Sequence, residues 1–578
     1  MKGLRVAVAQ IASVVGDISG NARKIAEWID KAQEMKADLV CFPEMAVTGY
    51  PPEDLLLKPD FIRDNLEALD DIARRTAETV AVVGFVERED DIFNAAALLH
   101  RGRVLATYRK HFLPTYGVFD EDRYFRPGTD ALVLDIRGVR VGLSICEDLW
   151  YPVGPPREEA LHGNAEVLVN ISSSPYHIGK QSFKERMLAT RASDNAVFIV
   201  YANMVGAQDE LVFDGRSMVL TPGGQIMAMG RPFEEDMIIC DLEVSPLFRA
   251  RLADPRRRKD KVFDTGAKEA LRMVRIQGPG FQGRPPLPPV QWEGLCVEEE
   301  VLRALRLGTR SYVINNGFKE VVIGLSGGID SALTAAVACQ ALGPEAVVGV
   351  SMPSVYTTQR SMEDARKVAS NLGMRLLEIP IQRIHEAYLE TLSGVFAGKG
   401  ADVTEENLQA RIRGNILMAL SNKFGWLVLT TGNKSENSMG YCTLYGDMVG
   451  GFGVIKDVPK TLVYRLANHM NASSGRELIP KSVIERAPTA ELREGQLDTD
   501  SLPPYEVLDP ILQAYVEEEL GLEEIVGRGF DRETVVGVIR KVDQNEYKRR
   551  QSPPGIKITP RAFGKERRLP ITNKYKAR

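Results

Sequence analysis

Three β-forming runs in the first half of the chain each end on a side chain that could take part in catalysis. Glu44, Lys110 and Cys146 stand at these three ends. A thiol with a pKa of about 8.5 is mostly protonated at neutral pH, so it needs a nearby base or cation to act as a nucleophile. A buried glutamate can accept the thiol proton, and a buried lysine can stabilise a tetrahedral oxyanion. The three residues together would hydrolyse a carboxamide through a thioester.

A single buried cysteine is more often a packing residue than a nucleophile, so Cys146 alone decides little. The motifs Phe42-Pro43-Glu44, Tyr108-Arg109-Lys110 and Ile145-Cys146-Glu147-Asp148, in this order, resemble the nitrilase or carbon–nitrogen hydrolase family over about residues 1–250. The resemblance implies a four-layer αββα sandwich. It also implies that Glu44 is the general base, Lys110 the oxyanion stabiliser and Cys146 the nucleophile.

Two loops offer groups for the amide substrate. One loop contains Tyr116, and the other runs from Asn170 through three serines to Lys180. Hydroxyls and a lysine could hold a free amino acid by its carboxylate and amine, although such residues are also ordinary in surface loops. Resemblance to the glutaminase branch of the family implies that Tyr116, Ser174 and Lys180 bind glutamine. The choice between Ser173 and Ser174 stays open.

The second half contains the run Ser326-Gly327-Gly328-Ile329-Asp330-Ser331, between a β-forming run and a helix-forming stretch. A glycine turn that opens a helix presents backbone N–H groups and a positive dipole end to an anion, and phosphate is the expected anion. The run lacks the lysine and the spaced glycines of GxxxxGK[ST] loops. It instead resembles the pyrophosphate loop of enzymes that adenylate a substrate.

A carboxylate beside phosphate is repelled unless a cation lies between them, so Asp330 is expected to bind Mg²⁺. Glu436 follows another strand and glycine turn, and we expect it to face the same metal or the nicotinamide end of a substrate. The strand predicted at 347–353 would lie beside the loop and offer backbone groups to adenine.

Further motifs in this half closely resemble the NAD synthetase family over about residues 295–578, and fusion to a nitrilase-like domain is typical of its glutamine-dependent branch. The resemblance implies that Asn407, Glu436 and Lys548 bind deamido-NAD and that Lys460 contacts phosphate. It also implies an ATP site made of Gly324, Leu325, Ser326, Gly327, Gly328, Ile329, Asp330, Ser331 and Thr431.

The implied reaction is ATP-dependent amidation of deamido-NAD to NAD through an acyl-adenylate. Ammonia would come from L-glutamine, or be added directly, and an internal passage would carry it between the sites. One alternative is amidotransfer to another acceptor, as in GMP or asparagine synthesis, but those enzymes resemble different glutaminases. Another alternative is a nucleotide sensor without activity. The family also implies a homo-oligomer.

Alternating strands and helices must position these residues. Strands are predicted at 5–10, 39–42, 80–85, 140–145, 167–171 and 197–203, and helices at 22–35, 183–195 and 298–315. The segment from Arg249 to Pro289 is rich in arginine, glycine and proline, and we expect no regular structure there. The predicted domains are 1–248, a linker at 249–294, and a doubly wound Rossmann-like α/β domain at 295–578.

The composition is typical of a globular protein: of 578 residues, 44% are hydrophobic and 26% are charged. A net charge of −5 gives no sign of a nucleic-acid partner. Six scattered cysteines without a CxxC pair argue for a reducing compartment. We expect neither a membrane span nor a signal peptide, and therefore a cytoplasmic enzyme.

Overall fold

The computed structural model describes residues 2–263, 270–278, 280–289 and 294–575. The chain divides into two compact units: Met1–Gln208 with Val212–Gly294, and Leu295–Arg578 with Asp209–Leu211. Within the described ranges, no helix has both the length and the apolar character needed to cross a bilayer.

Short strands and amphipathic helices alternate through the first half of the chain, as predicted. In chain order the elements are β1 (Gly3–Gln10), α1 (Ile18–Glu34), β2 (Leu39–Cys41), α2 (Pro59–Ala73), β3 (Val80–Arg88), β4 (Ile92–His100), β5 (Arg103–Arg109), β6 (Asp130–Ile136), β7 (Val139–Ile145), α3 (Pro155–Leu161), β8 (Val167–Ser172), α4 (Lys180–Asn195), β9 (Phe198–Asn203), β10 (Val205–Gln208), β11 (Leu211–Asp214), β12 (Met218–Leu220), β13 (Ile226–Met229), β14 (Asp236–Glu243), α5 (Leu247–Ala253), α6 (Pro255–Phe263) and β15 (Ala270–Ile276).

The strands form two large mixed sheets. The first has the order β14-β1-β2-β3-β4-β5, and the second has the order β13-β12-β9-β8-β7-β6-β15. The parallel pairs β1/β2 and β2/β3 lie at the centre of the first sheet, and β7/β8 and β8/β9 lie at the centre of the second. The carboxyl ends of β2 and β7, where Glu44 and Cys146 follow, therefore belong to two different sheets.

Alternating side chains place each sheet between two apolar layers. One core cluster joins Val6 and Val8 of the first sheet to Leu143 and Val169 of the second, so the two sheets pack face to face. A second cluster packs the outer face of the first sheet against α1 and α2, and a third packs the outer face of the second sheet against α3 and α4. The predicted four-layer αββα sandwich is confirmed.

The expectation of no regular structure between Arg249 and Pro289 is wrong for much of that segment. Helix α6 covers residues 255–263, and β15 covers residues 270–276. β15 pairs in parallel with β6 and so extends the second sheet at its edge. Residues 264–269, 279 and 290–293 of the predicted linker lie outside the described residues.

The second unit is built around a five-stranded parallel sheet with the order β18-β17-β16-β19-β20. Its elements are α7 (Val297–Asn315), β16 (Val321–Gly324), α8 (Ile329–Leu342), β17 (Val347–Ser351), α9 (Gln359–Leu372), β18 (Arg375–Glu378), α10 (Gln382–Leu392), α11 (Val403–Phe424), β19 (Leu427–Thr430), α12 (Lys434–Met439), β20 (Phe452–Gly453), α13 (Lys460–Ser474), α14 (Lys481–Ile484), α15 (Tyr505–Leu512), α16 (Leu522–Gly527), α17 (Arg532–Gln544) and α18 (Glu546–Arg549).

Helices cover both faces of this sheet. Ile412 and Leu417 of α11 pack on Val322, Val348 and Val428, while α8 packs with α7 and α13. This arrangement confirms the predicted doubly wound α/β domain. Strand order reverses between β16 and β19, and open parallel sheets bind ligands at the carboxyl ends of strands at such a point. The glycine loop and Thr431 follow these two strands.

Candidate functional site

Lys110 and Glu44 form a fully buried ion pair in the first unit. The Lys110 Nζ atom lies 2.7 Å from Glu44 Oε1, and both side chains are 0% exposed. Glu44 is held from two further sides, because Asn94 donates to its Oε1 atom at 2.8 Å and the Ser173 backbone N–H donates to its Oε2 atom at 2.9 Å. The glutamate is therefore fixed in one orientation inside the sandwich.

A second carboxylate, which the sequence analysis did not single out, shares the same lysine. Lys110 Nζ donates to Glu121 Oε2 at 2.8 Å, and Tyr50 donates to Glu121 Oε1 at 2.9 Å. Burial opposes the charge of Lys110, but Glu121 and Glu44 outweigh it and raise the lysine pKa well above its ordinary value. Burial raises the pKa of Glu121 to about 7 despite the opposing effect of Lys110. In the sequence, Glu121 is marked only by its position, eleven residues after Lys110.

Cys146 lies where β7 ends and a short 3₁₀ helix, Cys146–Leu149, begins. Its φ of 43° is a left-handed conformation that costs a non-glycine residue roughly 1–3 kcal/mol, and such strain is often found at functional sites. Burial raises the pKa of the thiol well above its ordinary value, Glu44 raises it further, and Lys110 lowers it. The side chain of Cys146 is therefore a neutral thiol at rest, and it would need a base to act as a nucleophile.

Asp148 holds the cysteine turn against the segment that follows Lys110. Its Oδ2 atom accepts hydrogen bonds from the Tyr108 hydroxyl at 2.7 Å and the Ile145 N–H at 3.0 Å. Its Oδ1 atom accepts from the backbone N–H groups of His111 and Phe112 at 3.0 and 2.9 Å. One fully buried carboxylate thus fixes the ends of β5 and β7 relative to each other.

The three predicted glutamine-binding residues occupy different environments. Tyr116 is 56% exposed, and its hydroxyl lies 3.0 Å from both oxygens of Glu147. Ser174 is buried, and its backbone N–H donates to the Asn203 side chain at 2.9 Å. Lys180 begins α4, and its Nζ atom donates to the Pro175 carbonyl at 2.6 Å. Ser173 is committed to Glu44 through both its N–H and its hydroxyl. That leaves Ser174 as the better of the two serine candidates.

In the second unit, the glycine loop takes the geometry expected for an anion site. Gly327 has a φ of 81°, and a Cβ atom there would lie 2.3 Å from the Ser361 carbonyl oxygen. Gly328 precedes the first residue of α8 without a capping side chain. The Ser326 hydroxyl accepts from the Gly328 N–H at 3.2 Å and lies 3.2 Å from the Ser331 hydroxyl. The N-terminal N–H groups of α8 therefore face the carboxyl edge of the sheet.

Two adjoining cavities open at this edge. The space in the first is about 810 Å³ and in the second about 900 Å³, both including the part that is open to solvent. The walls of the first are largely apolar, with Val350, Met352 and Leu417 beside Gly324–Ser326 and Thr431. The second is lined by Ser326, Gly328, Asp330, Ser331, Glu436 and Lys460. The apolar side chains of the first could pack against a flat ring, and the loop N–H groups, serine hydroxyls and Lys460 of the second could bind an anion.

Asp330 meets Glu436 and Lys460 in the second cavity, although more than a hundred residues separate it from each of them in the sequence. Lys460 forms an ion pair with Asp330 and lies 3.3 Å from Glu436 Oε1. Asn433 donates to Asp330 Oδ1 at 3.0 Å and caps α12 through the Glu436 N–H at 2.9 Å. Burial raises the pKa of Glu436 to about 8 against the opposing effect of Lys460, and Asp330 raises it further. The two carboxylates converge on one cation, the Lys460 ammonium, and carboxylate pairs of this kind can also bind a divalent metal.

The remaining predicted residues lie around the loop that follows α12. The Asn407 side chain accepts from the Thr443 hydroxyl at 2.8 Å, and Lys548 donates to the carbonyls of Gly440 and Cys442 at 2.8 and 3.0 Å. Asp498 and Glu491, which were not singled out from the sequence, also line the second cavity. The sequence marks these two residues only by an acidic stretch, because the loop that carries them lacks the hydrophobic periodicity of a helix or strand.

An amidase sandwich with a buried Glu-Lys-Cys cluster, joined in one chain to a parallel sheet with a glycine-rich phosphate loop, defines a two-domain carbon–nitrogen ligase. A model of the carbon–nitrogen hydrolase family matches residues 5–250, and a model of the NAD synthase family matches residues 301–552. The chain belongs to the family of glutamine-dependent NAD(+) synthetases.

Full-length relatives support this assignment. The chain is 50% identical to the glutamine-dependent NAD(+) synthetase of Thermotoga maritima and 42% identical to that of Acinetobacter baylyi, and each match covers 99% or more of both chains. The solved structure of the Acinetobacter baumannii enzyme, in complex with ADP, is 42% identical with a TM-score of 0.73 and covers 100% of both chains. The Cytophaga hutchinsonii enzyme shares the fold at 20% identity, with a TM-score of 0.80 over 99% of this chain and 98% of that one.

Proposed function

We propose that the protein catalyses the ATP-dependent amidation of deamido-NAD to NAD, with ammonia released from glutamine. One observation carries the proposal. A single chain contains a buried Glu44–Lys110–Cys146 cluster and, in its other unit, a phosphate loop beside two convergent carboxylates. The first arrangement suits amide hydrolysis, and the second suits activation of a carboxylate by a nucleotide.

In the amidase half, Glu44 accepts the thiol proton while Cys146 Sγ attacks the glutamine carboxamide. The proton then passes to the leaving nitrogen, ammonia departs, and water hydrolyses the thioester to glutamate. Lys110 stabilises the oxyanion, a contribution of about 3–4 kcal/mol in comparable sites. Tyr116, Ser174 and Lys180 bind the amino-acid end of glutamine.

In the synthetase half, the loop Gly324–Ser331 and Thr431 hold ATP, and Lys460 contacts its phosphates. Asn407, Glu436 and Lys548 hold deamido-NAD. A carboxylate oxygen of the nicotinate group attacks the α-phosphorus of ATP, and pyrophosphate leaves. Ammonia then attacks the activated carbonyl, AMP leaves, and the extra proton is released. The glycine-loop amides and Lys460 neutralise the departing pyrophosphate.

Asp330 and Glu436 are the residues that would hold Mg²⁺. The observation behind this assignment is their convergence on the Lys460 ammonium, which occupies the position of a shared cation. A bound Mg²⁺ supplies charge neutralisation of the phosphates. Glu436 also stays a candidate for contact with deamido-NAD.

Free ammonia is mostly protonated at neutral pH, so we include in the proposal an internal passage from the amidase site to the synthetase site. An oligomer of identical subunits and a cytoplasmic location, both expected from the sequence, stay predictions. Light scattering of the purified enzyme tests the first.

The proposed function is tested by supplying deamido-NAD and ATP with either glutamine or ammonium and measuring NAD and pyrophosphate. We expect one pyrophosphate per NAD with both nitrogen donors. Synthesis of another amidated product from its own acid would support a different acceptor, and the absence of pyrophosphate release with any acceptor would leave only a nucleotide-binding role.

A further inference from the structure

Helix α12 positions Glu436 although it is short. It has six residues, Lys434–Met439, and carries Glu436, while Asn433 at its N-terminal cap contacts Asp330. Isolated helices shorter than about 12 residues are marginal in water. The direction in which Glu436 points must therefore depend on contacts at the two ends of α12.

The N-terminal end is held by a buried lysine. Lys434 is 2% exposed, and its Nζ atom donates to Glu517 Oε1 at 2.7 Å, to Thr559 Oγ1 at 2.6 Å and to the Arg561 carbonyl at 3.0 Å. Glu517 closes a π-helical turn, Gln513–Glu517, a rare feature that is frequent near functional sites. Lys434, the first residue of α12, thus bonds to two segments near the C-terminus: the π-helical turn Gln513–Glu517 and residues 559–561. We call the region from residue 513 to residue 575 the C-terminal arm.

The same contact extends to the segment that carries Lys460. Asp457 Oδ1 lies 3.0 Å from Lys434 Nζ. Asp457 Oδ2 accepts from the backbone N–H groups of Ile558 and Thr559 at 2.9 and 2.8 Å. Because Asp457 precedes Lys460 by one short turn, the C-terminal arm holds both backbone segments that converge on Asp330.

The C-terminal end of α12 is capped by side chains from the same region. Arg549 donates to the Ser438 carbonyl at 2.7 Å, Asn545 to the Met439 carbonyl at 2.9 Å, and Lys548 to the Gly440 carbonyl at 2.8 Å. Carbonyls at a helix C-terminus lack partners within the helix, and cationic donors there are favourable. The end of α12 is therefore satisfied by α17 and α18.

We propose that Lys434 and Arg549 are positioning residues of a clamp on α12, completed by Glu517, Thr559 and Asn545, which orients Glu436 towards Asp330. The inference rests on the proposed function, because it assumes that Asp330 and Glu436 act on the metal–nucleotide. It adds that Lys434, Arg549 and their partners in the clamp control metal-assisted nucleotide binding without themselves touching substrate.

The test variant is Lys434→Met combined with Glu517→Gln. Removing Lys434 alone would leave both Glu517 and Asp457 without their buried cation. The double variant also neutralises Glu517, and Asp457 keeps the hydrogen bonds from the Ile558 and Thr559 N–H groups. Calorimetry measures ADP binding with and without Mg²⁺. We expect the affinity for ADP without metal to stay within about two-fold of wild type. The factor by which Mg²⁺ increases the affinity for ADP should fall by about ten-fold or more, the usual scale for groups that orient a metal ligand.

Kinetics with ammonium as nitrogen donor provide a second measurement. We expect kcat to fall by about ten-fold or more, because the clamp orients Glu436 towards Asp330. Thr559→Val keeps the shape of the side chain and removes only its hydroxyl, which accepts from Lys434 and donates to Asp457. It leaves every buried charge in place, so it is a milder variant than the double substitution. It should show the same pattern at about three-fold.

The matched control is Arg567→Met with Asp543→Asn. Arg567 and Asp543 form another largely buried pair on the same arm, at 3.3 Å. Their described hydrogen bonds join them to each other and to Tyr515, and none is with a residue of α12. The control should retain the wild-type gain from Mg²⁺. An equal loss in the control would overturn the clamp, since it would show general damage to the arm.

Glu436→Gln separates this inference from the function on which it rests. If Glu436→Gln loses the Mg²⁺ gain and the Lys434 and Thr559 variants keep it at an unchanged unfolding temperature, the clamp is wrong and the proposed function stands. If Glu436→Gln keeps the gain, the metal role and the clamp fail together. Failure of the wild-type enzyme to form NAD would instead overturn the proposed function.

Discussion

At the scale of single residues, the amidase site pairs one lysine with two carboxylates. Lys110 contacts both Glu44 and Glu121, and all three side chains are buried. In the proposed reaction, Glu44 loses its charge when it accepts the thiol proton. Glu121, where it is ionised above about pH 7, then remains as a counter-ion to Lys110. The lysine can therefore stay in place through the reaction, which is the pre-organisation that oxyanion stabilisation requires.

This arrangement predicts a strong effect of Glu121→Gln. Glutamine keeps the shape but not the charge, so the Lys110 ammonium should shift towards Glu44 and weaken it as a base. We expect glutamine hydrolysis to fall by about 10²-fold or more, with little change in ammonium-driven NAD formation. Steady-state glutamate release measures the effect. Glu89→Gln, at an exposed ion pair with Arg109, is the control and should change the rate by less than about two-fold.

The raised pKa of Glu121 also predicts a pH trend in stability. Burial moves this pKa from 4.5 to about 7, with Lys110 opposing the shift, so between these values the folded protein holds a proton that the unfolded chain has lost. The stability contributed by this group is present below about pH 4.5 and is lost as the pH rises through about 7.

Glutamine at position 121 cannot titrate. The Tm of the Glu121→Gln variant, relative to wild type, should therefore increase between about pH 5 and pH 8. Thermal unfolding of both proteins at several pH values measures this difference. A difference that is constant or decreases with pH would contradict the assignment.

At the scale of elements, the glycine loop depends on a close backbone approach. A Cβ atom on Gly327 would lie 2.3 Å from the Ser361 carbonyl oxygen, and the residue has a positive φ. Gly327→Ala should therefore displace the loop from α9 and reduce ammonium-driven NAD formation by about 10²-fold, while glutamine hydrolysis persists.

Gly425→Ala is the matched control for Gly327→Ala. Gly425 has a φ of 74° but no neighbour within 4 Å of an added Cβ atom. It should cost about 1 kcal/mol of stability through the backbone alone and leave the rate of NAD formation nearly unchanged. Equal kinetic losses in the two variants would argue against the close approach as the cause.

The strand ends were predictable because each β-forming run stops at a polar residue, and Glu44, Lys110 and Cys146 follow from that pattern. Glu121 and Asp148 were given no role from the sequence, since neither is the polar residue at which a β-forming run stops. Their roles arise from contacts between distant segments. β15 was also missed. Its sequence, Ala270–Ile276, lies among arginines, glycines and prolines, and its structure depends on pairing with β6 at the edge of a distant sheet. Local patterns do not encode such non-local pairing.

At the scale of the whole molecule, the proposed function places the release of ammonia and its use in different units of one chain. Cys146 belongs to the first unit, and the glycine loop with Asp330 belongs to the second. If the division of labour is correct, the two half-reactions should fail separately when one site is altered.

The variant Cys146→Ala tests this claim most directly, in assays that measure NAD formed from deamido-NAD and ATP with either glutamine or ammonium. Loss of the nucleophile should abolish glutamine-driven synthesis, with a fall of about 10³-fold or more, and leave ammonium-driven synthesis within about two-fold of wild type. An equal loss with both donors, or retention of glutamine-driven synthesis, would contradict the account.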